Sequence, residues 1–95
     1  MKSFPPNCGV FCRVAIAISQ VIRQAQGQVV AIWPSEVATS ANVSPYVVGQ
    51  IFRKLAERGY MQCLVENRRM RCFIPRHSPL WDTDYRKIVE ILETL

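Results

Sequence analysis

Residues 44–58 constrain the fold more tightly than any other part of this chain. Ser44-Pro45 supplies a helix N-cap followed by the one residue type that suits a first helical position without its N–H. At steps of about 100° per residue, Val48, Ile51, Phe52 and Leu55 fall on one side of the helix. Tyr46, Gln50, Arg53 and Glu57 fall opposite, with Lys54 at the edge. Gly59 stops the segment, because glycine tolerates the left-handed conformation in which many helices end. One stripe of this helix has to be buried and the other is presented to whatever the protein meets. Gly49 lies toward the presented side, where it weakens the helix by about 1 kcal/mol relative to alanine. Either the close approach of another surface or a local weakness accounts for it.

The chain that follows, "YMQCLVENRRMRCFIPR", alternates. Pairing it about Asn67-Arg68 sets Met61 opposite Ile74, Cys63 opposite Cys72 and Val65 opposite Met70, which gives a hairpin with an apolar inner face. Gln62, Leu64, Arg69, Arg71 and Phe73 point the other way, and Arg68 sits at the tip.

Ahead of these elements, residues 1–9 carry two prolines, Asn and Gly and read as an irregular arm. Apolar positions Val14, Ile18, Val21, Ile22 and Ala25 recur at helical spacing and predict a helix from Val10 to Gln26, stopped by Gly27. The short β-branched run 28–32 predicts a strand, and Trp33-Pro34-Ser35-Glu36 opens a brief second helix that ends in a turn at Asn42. His77, Ser78 and Pro79 break the pattern after the hairpin. Residues 82–95 predict a last helix with Tyr85, Ile88, Val89, Ile91, Leu92 and Leu95 apolar.

Ninety-five residues suit one core rather than two. The basic residues Arg53, Lys54, Arg58, Arg68, Arg69, Arg71 and Arg76 stand against Glu57 and Glu66 alone, so the whole net charge of +5 sits in this quarter of the chain. Such a concentration points to an anionic partner. No apolar run approaches the roughly 20 residues that span a bilayer, and Arg13 and the thin positive region at Lys2 argue against a signal peptide, so a cytoplasmic location is expected.

Helix, short strand, short helix, turn, longer helix and basic hairpin, in that order over residues 10–76, resemble the winged helix-turn-helix family of DNA-binding domains. The local match is "PSEVATSANVSPYVVGQIFRKLAERGYMQC", with Asn42-Val43-Ser44 as the turn and Lys54-Leu55…Arg58-Gly59-Tyr60 at the exit into the wing. "SPYVVGQIFRKL" is also similar to the recognition helix of iron–sulfur-sensing regulators within that family. No three-cysteine cluster follows, so no cofactor is carried over. The resemblance implies a winged helix-turn-helix domain over 10–76 with a short three-stranded antiparallel sheet; with the linker and additional C-terminal helix read over 77–95, the fold expected is α+β, mostly α. It implies a transcriptional regulator on double-stranded DNA, with helix 44–58 in the major groove and the wing 60–75 on the backbone or minor groove. The residue chemistry agrees: Gln50 and Arg53 suit base edges, Ser44 and Tyr46 suit phosphate near a helix N-terminus, and Lys54, Arg68, Arg69 and Arg71 suit phosphate or a narrow minor groove.

Other readings are weaker. The same fold serves as a protein-interaction module, which the outward Leu64 and Phe73 support. An enzyme is not expected, since His77 lacks a nucleophile and an orienting group nearby. Cys8, Cys12, Cys63, Cys72 and His77 lack the close Cys-x-x-Cys spacing of structural zinc, so no metal is expected. Trp33 and Trp81 read as core or interface anchors. The C-terminal helix, with Ile88, Ile91, Leu92 and Leu95, is expected to pair with a twofold mate in a homodimer. Cys63 and Cys72 are placed to form a disulfide, yet two buried reduced thiols are expected, with a bond if the source is hyperthermophilic or the pair senses oxidation.

Overall fold

The computed structural model describes residues 4–81 and 84–95. The helices are α1 (Val10–Arg23), α2 (Pro34–Ala41), α3 (Pro45–Glu57) and α4 (Tyr85–Glu93); the strands are β1 (Val29–Ile32), β2 (Gln62–Glu66) and β3 (Arg69–Pro75). The strands form one antiparallel sheet in the order β1-β3-β2. Among the described residues, the α+β class, the four helices and the antiparallel three-stranded sheet are those expected, although helices take up about half of these residues and do not dominate.

Helix α3 starts and stops for the reasons its sequence supplies. The Tyr46 backbone N–H donates to Ser44 Oγ at 3.2 Å, and Gly59 takes the positive φ of 85° that a side chain resists. Val48, Phe52 and Leu55 are wholly buried and Ile51 nearly so. Helix α1 ends at Arg23, three residues short of expectation. Gln24 and Ala25 donate to the carbonyls of Val21 and Ile22, tightening the last turn before the left-handed Gly27.

Cross-strand partners are Cys63 with Cys72, Val65 with Met70 and Glu66 with Arg69. Asn67 and Arg68 both have positive φ, 51° and 65°, as a two-residue turn matched to strand twist demands. The apolar inner face is buried only at its base: Met61, Cys72 and Ile74 are buried, whereas Val65 is 64% exposed because the tip rises past the core.

One cysteine expectation is corrected, and a second bond appears that was not foreseen. Cys63 and Cys72 are joined by a disulfide rather than reduced, their Cα atoms 4.0 Å apart, and a second disulfide joins Cys8 to Cys12 at the start of α1. Direct cross-strand pairing brought the first pair within reach; Cys8 precedes the extended N-cap Gly9, and the chain there folds back so that its Cα lies 5.2 Å from that of Cys12 in the first turn of α1. Bonded sulfurs supply no thiolate to a metal. Disulfides belong to oxidising compartments or to intracellular proteins of hyperthermophiles, so these two bonds fit a cytoplasmic location only in the second case. Cross-linking so short a loop is expected to contribute roughly 2–3 kcal/mol, about 10–20 °C for a domain this size. Melting Cys63→Ser/Cys72→Ser beside the wild type under non-reducing conditions checks this; equal midpoints would remove the stabilising role.

The C-terminal helix also departs from expectation. Ile88 and Leu92, expected to meet a twofold mate, are buried in the core of their own chain, where α4 packs against α1. Leu80 joins them, wholly buried. Ser78 Oγ donates to the Tyr60 carbonyl at 2.6 Å and accepts from the Leu80 N–H, fastening this segment to the hairpin base. Arg58 Nη1 reaches the Thr94 carbonyl at 3.2 Å. Asp82 and Thr83, where the last helix was expected to begin, lie outside the described residues; Asp84 caps α4 through the Arg86 N–H. The side-chain and backbone hydrogen bonds from Arg86 hold the Asp84 carboxyl below its usual range. Its contribution to the cap is present above the ordinary carboxylate range and is lost as pH falls through the lowered value.

Among the described residues no helix is long and apolar enough to cross a membrane.

Candidate nucleic-acid interface

The presented stripe of α3 and the hairpin tip border one groove. It encloses about 350 Å³ and is lined by Pro34 and Ser35 from the start of α2, Pro45, Tyr46, Gly49, Gln50 and Arg53 from α3, and Arg68, Arg69 and Met70 from the tip. Helix α2 reaches it because the left-handed Asn42 ends that helix and turns the chain into Ser44. Val37, Ala38 and Ala41 share a core with Val48, Ile51 and Phe52, which fixes the two helices side by side. A Cβ on Gly49 would meet nothing within 4 Å, so the groove floor is open there and glycine is not required by packing.

Of the residues expected to bind, Tyr46, Gln50, Arg53, Arg68 and Arg69 line this groove. Tyr46 is 75% exposed, its hydroxyl available beside the helix N-terminus. Ser44 is used differently: its Oγ accepts the Tyr46 N–H as the N-cap, while its own O–H remains able to donate. Lys54 lies off the groove, beside a small recess of about 190 Å³ formed with Phe11, Val47, Ile51 and Leu95. Arg71 is also off it, on the outer sheet face, with Nη2 3.8 Å from Glu66 Oε1 and its guanidinium 5.1 Å over the Phe73 ring.

Apart from Arg71, the basic quarter of the chain thus divides into two sets. Arg58 is bonded to Thr94, while Arg76 donates to the Gly27 carbonyl and lies 5.5 Å over Trp81. These two hold the fold together at its edges. Arg53, Lys54, Arg68 and Arg69 are exposed, and Arg53, Arg68 and Arg69 converge on one concave surface. A concave basic surface with an amide and a guanidinium on a helix can neutralise phosphates and hydrogen-bond to base edges at once.

Trp33 is the neighbour that sequence reasoning missed. Arg69 and Arg71 lie 5.1 and 5.6 Å over its ring. Only the pairing of β1 with β3, which sets Ile32 beside Cys72, brings residue 33 next to residue 71. His77 is exposed in a turn after β3. No protein-family model, curated protein or solved structure matches the chain.

Proposed function

We propose that this chain is a winged helix-turn-helix DNA-binding protein acting as a transcriptional regulator, with α3 in the major groove and the β2–β3 hairpin on the backbone or in a minor groove. The groove shared by α3 and the hairpin tip carries the reading, since it joins base-reading and phosphate-binding side chains on one surface. Gln50 and Arg53 are the base readers; Arg68, Arg69, Arg71 and Lys54 hold phosphate, with Tyr46 and the N-terminus of α3 beside them. A cytoplasmic, nucleic-acid-associated place remains part of this reading. Two disulfides suit it where the source is hyperthermophilic, since intracellular proteins there carry such bonds. The homodimer through α4 is left out, because Ile88 and Leu92 are occupied within their own chain.

Binding of the full chain to duplex DNA, followed by fluorescence anisotropy across a salt series, tests the reading. Four phosphate contacts give a slope of about −3.6 in log affinity against log salt, a loss of roughly 150-fold between about 50 and 200 mM. A flat response would favour a second reading, a winged-helix protein-interaction module. Exposed Leu64 and Val65 and the apolar recess at Phe11, Val47 and Leu95 support that alternative.

A further inference from the structure

On the outer face of the sheet, one indole lies beneath two guanidiniums. Arg69 stands 5.1 Å and Arg71 5.6 Å from the Trp33 ring centroid, and Arg71 stands 5.1 Å from the Phe73 ring as well. The indole is half-buried and sits at the N-cap of α2, where the Trp33 carbonyl accepts the Val37 N–H through the backbone, independently of the side chain. Trp81 also lies beneath an arginine, Arg76 at 5.5 Å, but packs against the hydrophobic core as well. The Trp33 side chain thus has its clearest partners in the two arginines of the hairpin.

Cation–π stacking occupies the face of a guanidinium and leaves its N–H edges in the ring plane, where they remain able to fork onto a phosphate. A long exposed arginine normally loses rotamer freedom when it binds, and that loss subtracts from affinity. An arginine already laid over an indole has lost much of that freedom beforehand. Arg69 gains most, since it also lines the groove, whereas Arg71 shares its charge with Glu66.

We infer that Trp33 is a positioning residue for nucleic-acid binding: it holds Arg69 and Arg71 in the phosphate-binding orientation without touching the ligand. The inference rests on the DNA-binding reading above and adds a residue that reading does not contain. Trp33→Leu keeps apolar bulk but removes the π face, so binding to every duplex weakens by roughly three- to tenfold. Its salt slope stays that of the wild type, because both arginines still displace counterions. Trp33→Phe retains most of the affinity.

The deciding experiment is a cycle in the full chain, measured by anisotropy on a fixed duplex: wild type, Trp33→Leu, Arg69→Ala/Arg71→Ala, and the triple variant. The triple variant is expected to bind no worse than the double. An equal loss on adding Trp33→Leu to either background overturns the inference while leaving DNA binding intact, as does a Trp33→Phe variant as weak as Trp33→Leu. If Trp33→Leu fails to fold, NMR of the wild type decides instead: the side-chain protons of Arg69 and Arg71 are expected upfield by the ring current, and their absence from that range overturns the stack. A wild type that binds no duplex overturns the functional reading and this inference together.

Discussion

A chain ending at Ser78 is expected not to fold. It loses Leu80, Ile88 and Leu92, all essentially inaccessible to solvent, and uncovers the face of α1 on which α4 packs. Truncating one such aliphatic side chain typically costs about 2–5 kcal/mol, so three of them approach the roughly 5–15 kcal/mol that holds a whole domain together. The Ser78 hydroxyl would also lose the Leu80 N–H that it accepts. Far-UV circular dichroism during heating is the measurement: the full chain is expected to melt cooperatively and the shortened one to show no transition. A cooperative melt of the shortened chain near that of the full chain would mean that α4 is an appendage, and would reopen its assignment to a twofold interface. The milder Leu92→Ala should lower stability by about 2–5 kcal/mol and leave a foldable protein.

The second large effect concerns specificity. Combining Gln50→Ala with Arg53→Ala is expected to remove about 2–6 kcal/mol of discrimination between the best duplex and its single-base variants, since each base-reading side chain contributes roughly 1–3. Both positions are on the exposed stripe of α3, and neither contributes to the core, so the fold should survive. Arg69→Ala should act differently, weakening all sequences alike and lowering the salt slope by about one. Competition binding over a randomised set of duplexes separates the two classes. If the α3 double variant lost affinity uniformly, with no relaxation at particular base pairs, α3 would not be reading bases.

The parts legible in the sequence are those governed by local periodicity. Val48, Ile51, Phe52 and Leu55 announce the buried face of α3, and alternation about Asn67-Arg68 predicts the register that sets Cys63 beside Cys72. Periodicity says that a stripe must be covered, not what covers it. The apolar stripe of α4 was accordingly readable, while its partner, α1 of the same chain, was not. The same limit applies to the cysteines: cross-strand proximity is shared by a thiol pair and a disulfide, so spacing alone leaves both open. At the candidate site, each basic element was visible by itself. That Arg53, Arg68 and Arg69 border one groove depends on how the hairpin docks beside α3, and the place of Trp33 under two arginines depends on β1 pairing with β3. Both are long-range arrangements that no window of sequence contains.

The bond between Cys63 and Cys72 also bears on how this protein can change. Residues 64–71 form a closed ring tied at its base, and they include Arg68, Arg69 and Arg71. The strands are held together at the cross-link, so side chains beyond it are largely relieved of the task of keeping the hairpin closed. The exposed Arg68 at the tip can then be exchanged with little effect on the body of the domain, whereas Met70, packed against the core, and Arg69 and Arg71, over Trp33, tie the rest of the ring to it. Within the ring, the turn itself is the segment to diversify.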